Sequence, residues 1–134
     1  MDTTETYIKM CEKAEEIHKE HEWIEGDWCW DVTNKEWYIL CPCCHNYEHY
    51  PLSMYFWLPR QDQLQEMVKG DDHMHLLAYK FALYFHGNLD PLYWYIGVDN
   101  YTVDADNSME QMWLAFVMKE KFNKVWDGEN WNGK

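Results

Sequence analysis

The stretch Trp28-Cys29-Trp30-Asp31-Val32-Thr33-Asn34-Lys35-Glu36-Trp37-Tyr38-Ile39-Leu40 decides the fold class. Trp28, Trp30 and Val32 alternate with Cys29 and Asp31, the two-residue period of a strand with unlike faces. Thr33-Asn34-Lys35 is a turn signal, and Trp37-Tyr38-Ile39-Leu40 returns as a second strand, so the stretch reads as a β-hairpin. Leu52-Ser53-Met54-Tyr55-Phe56-Trp57-Leu58 predicts a third strand, which Pro59 stops.

Outward from this β-rich centre the period changes to three and four. Tyr7, Met10, Cys11, Ala14, Ile17, His18 and His21 line one face of a helix predicted from Thr4 to about Glu22, with Thr3 or Thr4 as its cap. Pro59 suits the first turn of a short helix carrying Leu64, Met67 and Val68, which Gly70 ends. Asp71 or Asp72 caps the next helix, whose inward stripe is Met74, Leu77, Ala78, Phe81, Ala82 and Phe85, with Gly87-Asn88 as its stop. Residues 88–107 carry Pro91, Gly97 and several Asp and Asn, and there Tyr93-Trp94-Tyr95-Ile96 fits a strand or a helical turn. Ser108 with Gln111 forms a capping box that opens a last helix facing Met109, Met112, Trp113, Phe116 and Val117 inward, with Asn123 as its end. The tail Trp126-Asp127-Gly128-Glu129-Asn130-Trp131 is turn-like, and its two Trp are expected to pack back. The expectation is an α+β fold: a small antiparallel sheet of about three strands packed against three to four helices, in a single compact domain over residues 1–134.

Composition excludes several classes. The chain has 134 residues, 11 Lys plus Arg against 24 Asp plus Glu, and a formal net charge of -13, with 18% aromatics. So many aromatics argue against a disordered acidic tail. No apolar run reaches the roughly 18–20 residues of a membrane span. The acidic start Met1-Asp2-Thr3-Thr4-Glu5 lacks the apolar region of a signal peptide, so the expected location is a reducing cytoplasm. A field of this sign repels phosphate, which excludes direct nucleic-acid binding.

Three stretches carry a family resemblance: Tyr7-Ile8-Lys9-Met10-Cys11-Glu12-Lys13-Ala14-Glu15-Glu16-Ile17; Trp57-Leu58-Pro59-Arg60-Gln61-Asp62-Gln63-Leu64-Gln65-Glu66-Met67; and Met109 to Phe122 with the Lys124-Val125-Trp126-Asp127-Gly128-Glu129 tail. Together they resemble small acidic proteins, uncharacterised as a family, of Firmicutes bacteriophages and prophages. The resemblance covers roughly a third of the chain, leaving out the Cys-rich loop and residues 70–105. It implies a phage gene product acting in the cytoplasm of the bacterial host, and brings no catalytic motif.

The five cysteines are Cys11, Cys29, Cys41, Cys43 and Cys44, an odd number with three crowded together. That argues against a disulfide framework and leaves metal binding or plain thiols. Cys41 and Cys44 have C-x-x-C spacing, and zinc needs four N or S ligands. Cys41, Cys44, His49 and Cys29 are the candidate set for one structural zinc, with His45 and Cys43 as substitutes; the competing reading is free thiols in a hairpin loop. Asp104-Ala105-Asp106-Asn107-Ser108 is not a calcium loop, because Met109 stands where glycine is required and Ala115 where glutamate is. No phosphate loop, nucleophile elbow or H-E-x-x-H occurs, so no enzyme is expected. Arg60, the only arginine, is assigned a structural role holding carboxylates.

The acid excess lies in two stretches without a basic residue. Glu20, Glu22, Glu25, Asp27 and Asp31 fall between Lys19 and Lys35; Asp90, Asp99, Asp104, Asp106 and Glu110 fall between Lys80 and Lys119. Tyr93, Trp94, Tyr95 and Tyr101 interleave the second. Carboxylates beside aromatics suit docking to a basic groove, carboxylates replacing phosphates and aromatics supplying buried anchors; the plain alternative is a solvated face over an aromatic core. Candidate partner-binding residues are therefore Asp99, Asp104, Asp106, Glu110, Tyr93, Trp94 and Tyr101, with Glu22, Glu25, Asp27 and Asp31 as a second patch. With the phage resemblance, the expected function is an anti-defence inhibitor of the anti-CRISPR kind. It would occupy a basic nucleic-acid-binding surface of a host protein such as a defence nuclease. The alternative is a zinc-stabilised accessory domain in phage replication or gene regulation.

Overall fold

Capping starts the first helix. In the computed structural model, which describes residues 1–41, 54–86 and 108–133, Thr4 is extended and its Oγ1 accepts the Tyr7 N–H at 3.3 Å, opening α1 (Glu5–Lys13). The segment expected to run unbroken to Glu22 is two helices. The chain turns at Ala14 (φ -91°, ψ 63°), and α2 spans Glu15–Glu20. The Cys11 carbonyl accepts the Ala14 N–H at 3.1 Å and the His18 ring N–H at 2.8 Å. The break therefore leaves no orphaned acceptor there, and Ala14 and Ile17 are both fully buried.

The predicted hairpin is β1 (Trp28–Asp31) with β2 (Glu36–Ile39), and β3 (Tyr55–Leu58) pairs on the other side of β1. All pairings are antiparallel, in the order β2-β1-β3, with Trp30 opposite both Trp37 and Phe56. Trp28, Trp30, Phe56 and Leu58 share one face and join the apolar core. Cys29 and Trp57 share the opposite face.

Helix α3 (Gln61–Lys69) begins where the Arg60 N–H donates to Gln63 Oε1 at 2.9 Å and ends at Gly70, whose φ of 53° suits glycine. In α4 (Met74–His86), Leu77 and Phe85 are buried as expected, but Met74 and Ala78 are exposed and Tyr84 takes a buried place. Helix α5 (Met109–Phe122) departs furthest from its expected single stripe. Gln111 and every residue from Trp113 to Met118 is buried, while Met109 is exposed. A helix apolar on all sides belongs in the middle of a core, and α1, α3, α4 and the C-terminal hairpin all pack on α5. Asn123 ends it in the left-handed conformation, as its sequence position predicted.

The tail is a second sheet, β4 (Lys124–Trp126) with β5 (Trp131–Gly133). Its cross-strand pair Trp126–Trp131 packs back on the core, with ring centroids 5.0 Å apart. Trp131 Nε1–H donates to the Met10 carbonyl at 2.9 Å and ties the tail to α1. The architecture is thus α+β, helices around α5 with a three-stranded antiparallel sheet and a two-stranded hairpin. Among the described residues no helix is long and apolar enough to cross a membrane.

Candidate functional site

The loop between α2 and β1 holds the acidic residues that reach the surface. Glu22 and Glu25 are exposed, flanking Ile24, which is 54% exposed. Asp27 N–H to Ile24 O at 3.2 Å closes a turn within this loop, and two backbone bonds seat it at the end of β2: Gly26 N–H to Leu40 O at 3.0 Å and Leu40 N–H to Asp27 O at 2.8 Å. Along β2 itself, Trp37 is 46% and Ile39 47% exposed, and Trp37 stacks on Trp28 at 4.5 Å. Ile24 in the loop and Trp37 and Ile39 on β2 are thus exposed apolar side chains, with Glu22 and Glu25 exposed in the loop and Glu36 exposed at the start of β2.

Asp27 and Asp31, expected in this patch, are not on it. Both are buried, because each carboxylate turns inward to satisfy local donors. Asp27 accepts the His21 ring N–H at 2.7 Å, the Ile24 N–H at 2.9 Å and the Gln63 side-chain amide at 2.6 Å. Burial pushes its carboxyl up, but the bonds from His21, Ile24 and Gln63 outweigh this and hold it below the usual carboxylate range. Asp31 accepts the Thr33 and Asn34 N–H groups at 2.8 and 3.0 Å and the Asn34 side chain at 2.9 Å, fixing the hairpin turn.

Of the cations around this stretch, Lys35 is exposed beside Glu36 with no ion-pair partner among the described residues, while the others are engaged elsewhere. Lys19 pairs with Glu15 at 3.9 Å, as an i,i+4 pair, and Lys121 pairs with Glu20. Arg60 grips Asp62 with two nitrogens at 3.1 and 3.2 Å and donates to the Gly26 carbonyl at 3.0 Å, the structural role assigned to it. Glu22 and Glu25 have no cationic partner among the described residues.

Of the other acidic stretch, Glu110 lies in the first turn of α5, 3.7 Å from the Met1 ammonium. Asp99, Asp104, Asp106, Tyr93, Trp94 and Tyr101 lie outside the described residues. Beside Glu110 an open cavity of about 390 Å³ is lined by residues 1–4, Ser108, Glu110 and Gln111. Asp2 fills its polar wall, accepting from Ser108 Oγ, the Thr4 N–H at 2.8 Å and Gln111 Nε2 at 2.8 Å. The Ser108 cap of α5 is present, but Gln111 closes onto Asp2 rather than back onto Ser108.

The candidate zinc set is represented here by Cys29 and Cys41, since Cys44 and His49 lie outside the described residues. Cys29 is fully buried, and burial pushes its thiol up to about 11. Cys41 is disulfide-bonded. Among the described residues no three His, Cys, Asp or Glu side chains converge on a metal position. His21 is committed to packing, stacked on Trp57 at 3.5 Å and 2°.

Ile24, Trp37 and Ile39 escaped the sequence reading as surface residues. The only available signal was their nearness in sequence to a gap in basic charge. No known protein family matches the chain, and no curated protein or solved structure matches it.

Proposed function

We propose that this chain is an interaction protein that sets an acidic, partly apolar surface against a basic surface of another protein. In the phage setting its sequence resembles, the partner is a host defence protein whose nucleic-acid-binding groove it blocks. One observation carries the reading: exposed Glu22 and Glu25, without cationic partners among the described residues, lie with exposed Ile24 in a loop bonded to the end of β2, whose Trp37 and Ile39 are exposed. Carboxylates there match basic side chains that normally hold phosphates, the apolar side chains supply the area to bury, and a net charge of -13 speeds encounter.

The test is capture from a bacterial lysate at low and high salt, with wild type and with Glu22→Lys/Glu25→Lys. The expected partner binds DNA or RNA, is displaced by added nucleic acid, and is lost at high salt because the attraction is screened. Charge reversal should weaken its binding about tenfold or more, or about 1.4 kcal/mol. Capture of only neutral or acidic proteins, or equal capture by the reversed variant, would refute the proposal.

A further inference from the structure

The alternation of bonds in the sheet opens one edge at the two residues whose apolar side chains are exposed. Val32 N–H donates to Met54 O at 2.9 Å, and Leu40 N–H donates to Asp27 O at 2.8 Å. Given the registers, the even-numbered residues of β1 bond β3, while Cys29 and Asp31 bond β2. On β2 the same alternation turns the backbone of Glu36 and Tyr38 toward β1. Trp37 and Ile39 therefore direct their N–H and C=O groups away from the sheet. β2 is the edge strand in the order β2-β1-β3, and no backbone group among the described residues meets that edge.

Proteins usually blunt such an edge with charge, proline or a covering segment. Here the strand itself, Glu36–Ile39, carries no proline, and its one charge is Glu36, with Lys35 exposed just before it. Its flanks are acidic: Glu36 is exposed at one end, and the Gly26–Leu40 bond holds the loop carrying Glu22 and Glu25 at the other. An extended segment pairs its own backbone with such outward groups along the whole strand.

We infer that β2 is a strand-addition site for an extended cationic segment of the partner. Backbone bonds form to Trp37 and Ile39, apolar residues at alternate positions lie along their side chains, and Lys or Arg meets Glu36 at one end and Glu22 and Glu25 at the other. The inference rests on the function proposed above and gives the partner its form.

The probe is an acetylated, amidated peptide of six residues alternating lysine and valine, added to the full chain. Amide hydrogen exchange at Trp37 and Ile39 should slow about tenfold or more at saturation. Glu22→Lys/Glu25→Lys should weaken the peptide about tenfold, and proline in place of the central valine should abolish binding. Peptide affinity that falls on charge reversal, with exchange at Trp37 and Ile39 unchanged, would overturn strand addition and leave the proposed function standing. Slowed exchange with affinity indifferent to charge reversal would overturn the charge recognition, both here and in that function. Absence of binding overturns the inference.

Discussion

Asp27 has no exposed surface, and its carboxylate is filled by His21, Gln63 and the Ile24 N–H. Asp27→Ala would leave those donors buried without an acceptor. We expect a loss of about 3 kcal/mol, read as a lower urea midpoint with unchanged slope. Asp27→Asn, which still accepts, should lose less. Acid acts through residues of the same kind. Burial holds the His18 imidazole below its ordinary value of 6.5, against the opposing bond to the Cys11 carbonyl. The unfolded chain takes that proton first, so His18's contribution is complete above about pH 6.5 and declines below it. Asp27 and Asp2 are depressed despite burial, the latter by Ser108, Thr4 and Gln111. Their contribution is complete above about 3.8 and lost as pH falls further. Urea midpoints at pH 7, 5 and 3 should fall in two stages; equal midpoints at 7 and 5 would refute the role given to His18. A carboxylate's place in the sequence does not say whether it faces solvent or a cap. That is why Asp27 and Asp31 read as surface residues and are buried, whereas Glu22 and Glu25 are exposed.

The hairpin of β1 and β2 was legible because its period, its turn residues and its Asp31 cap agree. One residue strains it: Lys35 holds φ at 55°, a region that costs a side chain about 1–2 kcal/mol. Lys35→Gly should remove that cost, less the backbone entropy glycine loses on folding. The expected net gain is about 0.5–1 kcal/mol, seen as a Tm higher by a few degrees. Elsewhere local signals ran out. Nothing in the composition around Ala14 marks a break; it follows from packing that buries Ala14 and Ile17 on one core. Periodicity also misjudges α5. A stripe is the mark of a helix with one wet side, and this helix has neighbours on nearly every side.

At the scale of the whole molecule, the ends are drawn together. Lys9 pairs with Glu129, Lys121 with Glu20 and Lys124 with Glu16, so α1 and α2 are tied to α5 and the tail. Lys9 and Glu5 stood at a helical spacing, yet Lys9 turned to the C-terminal hairpin, a choice sequence spacing cannot foresee. The candidate surface was legible only as a gap in basic charge. Its apolar half depends on β2 lying at the sheet edge, and strand order is set by β3 pairing with β1 on the opposite side. The place of α5 has a further consequence in time. A ribosome adding about 5–20 residues per second makes Leu58 roughly 3–12 s before Met118. Through that interval the nascent chain has its strand residues but lacks the helix around which its core closes. Trp28, Trp30, Phe56 and Leu58 are then open to any chaperone at the tunnel exit.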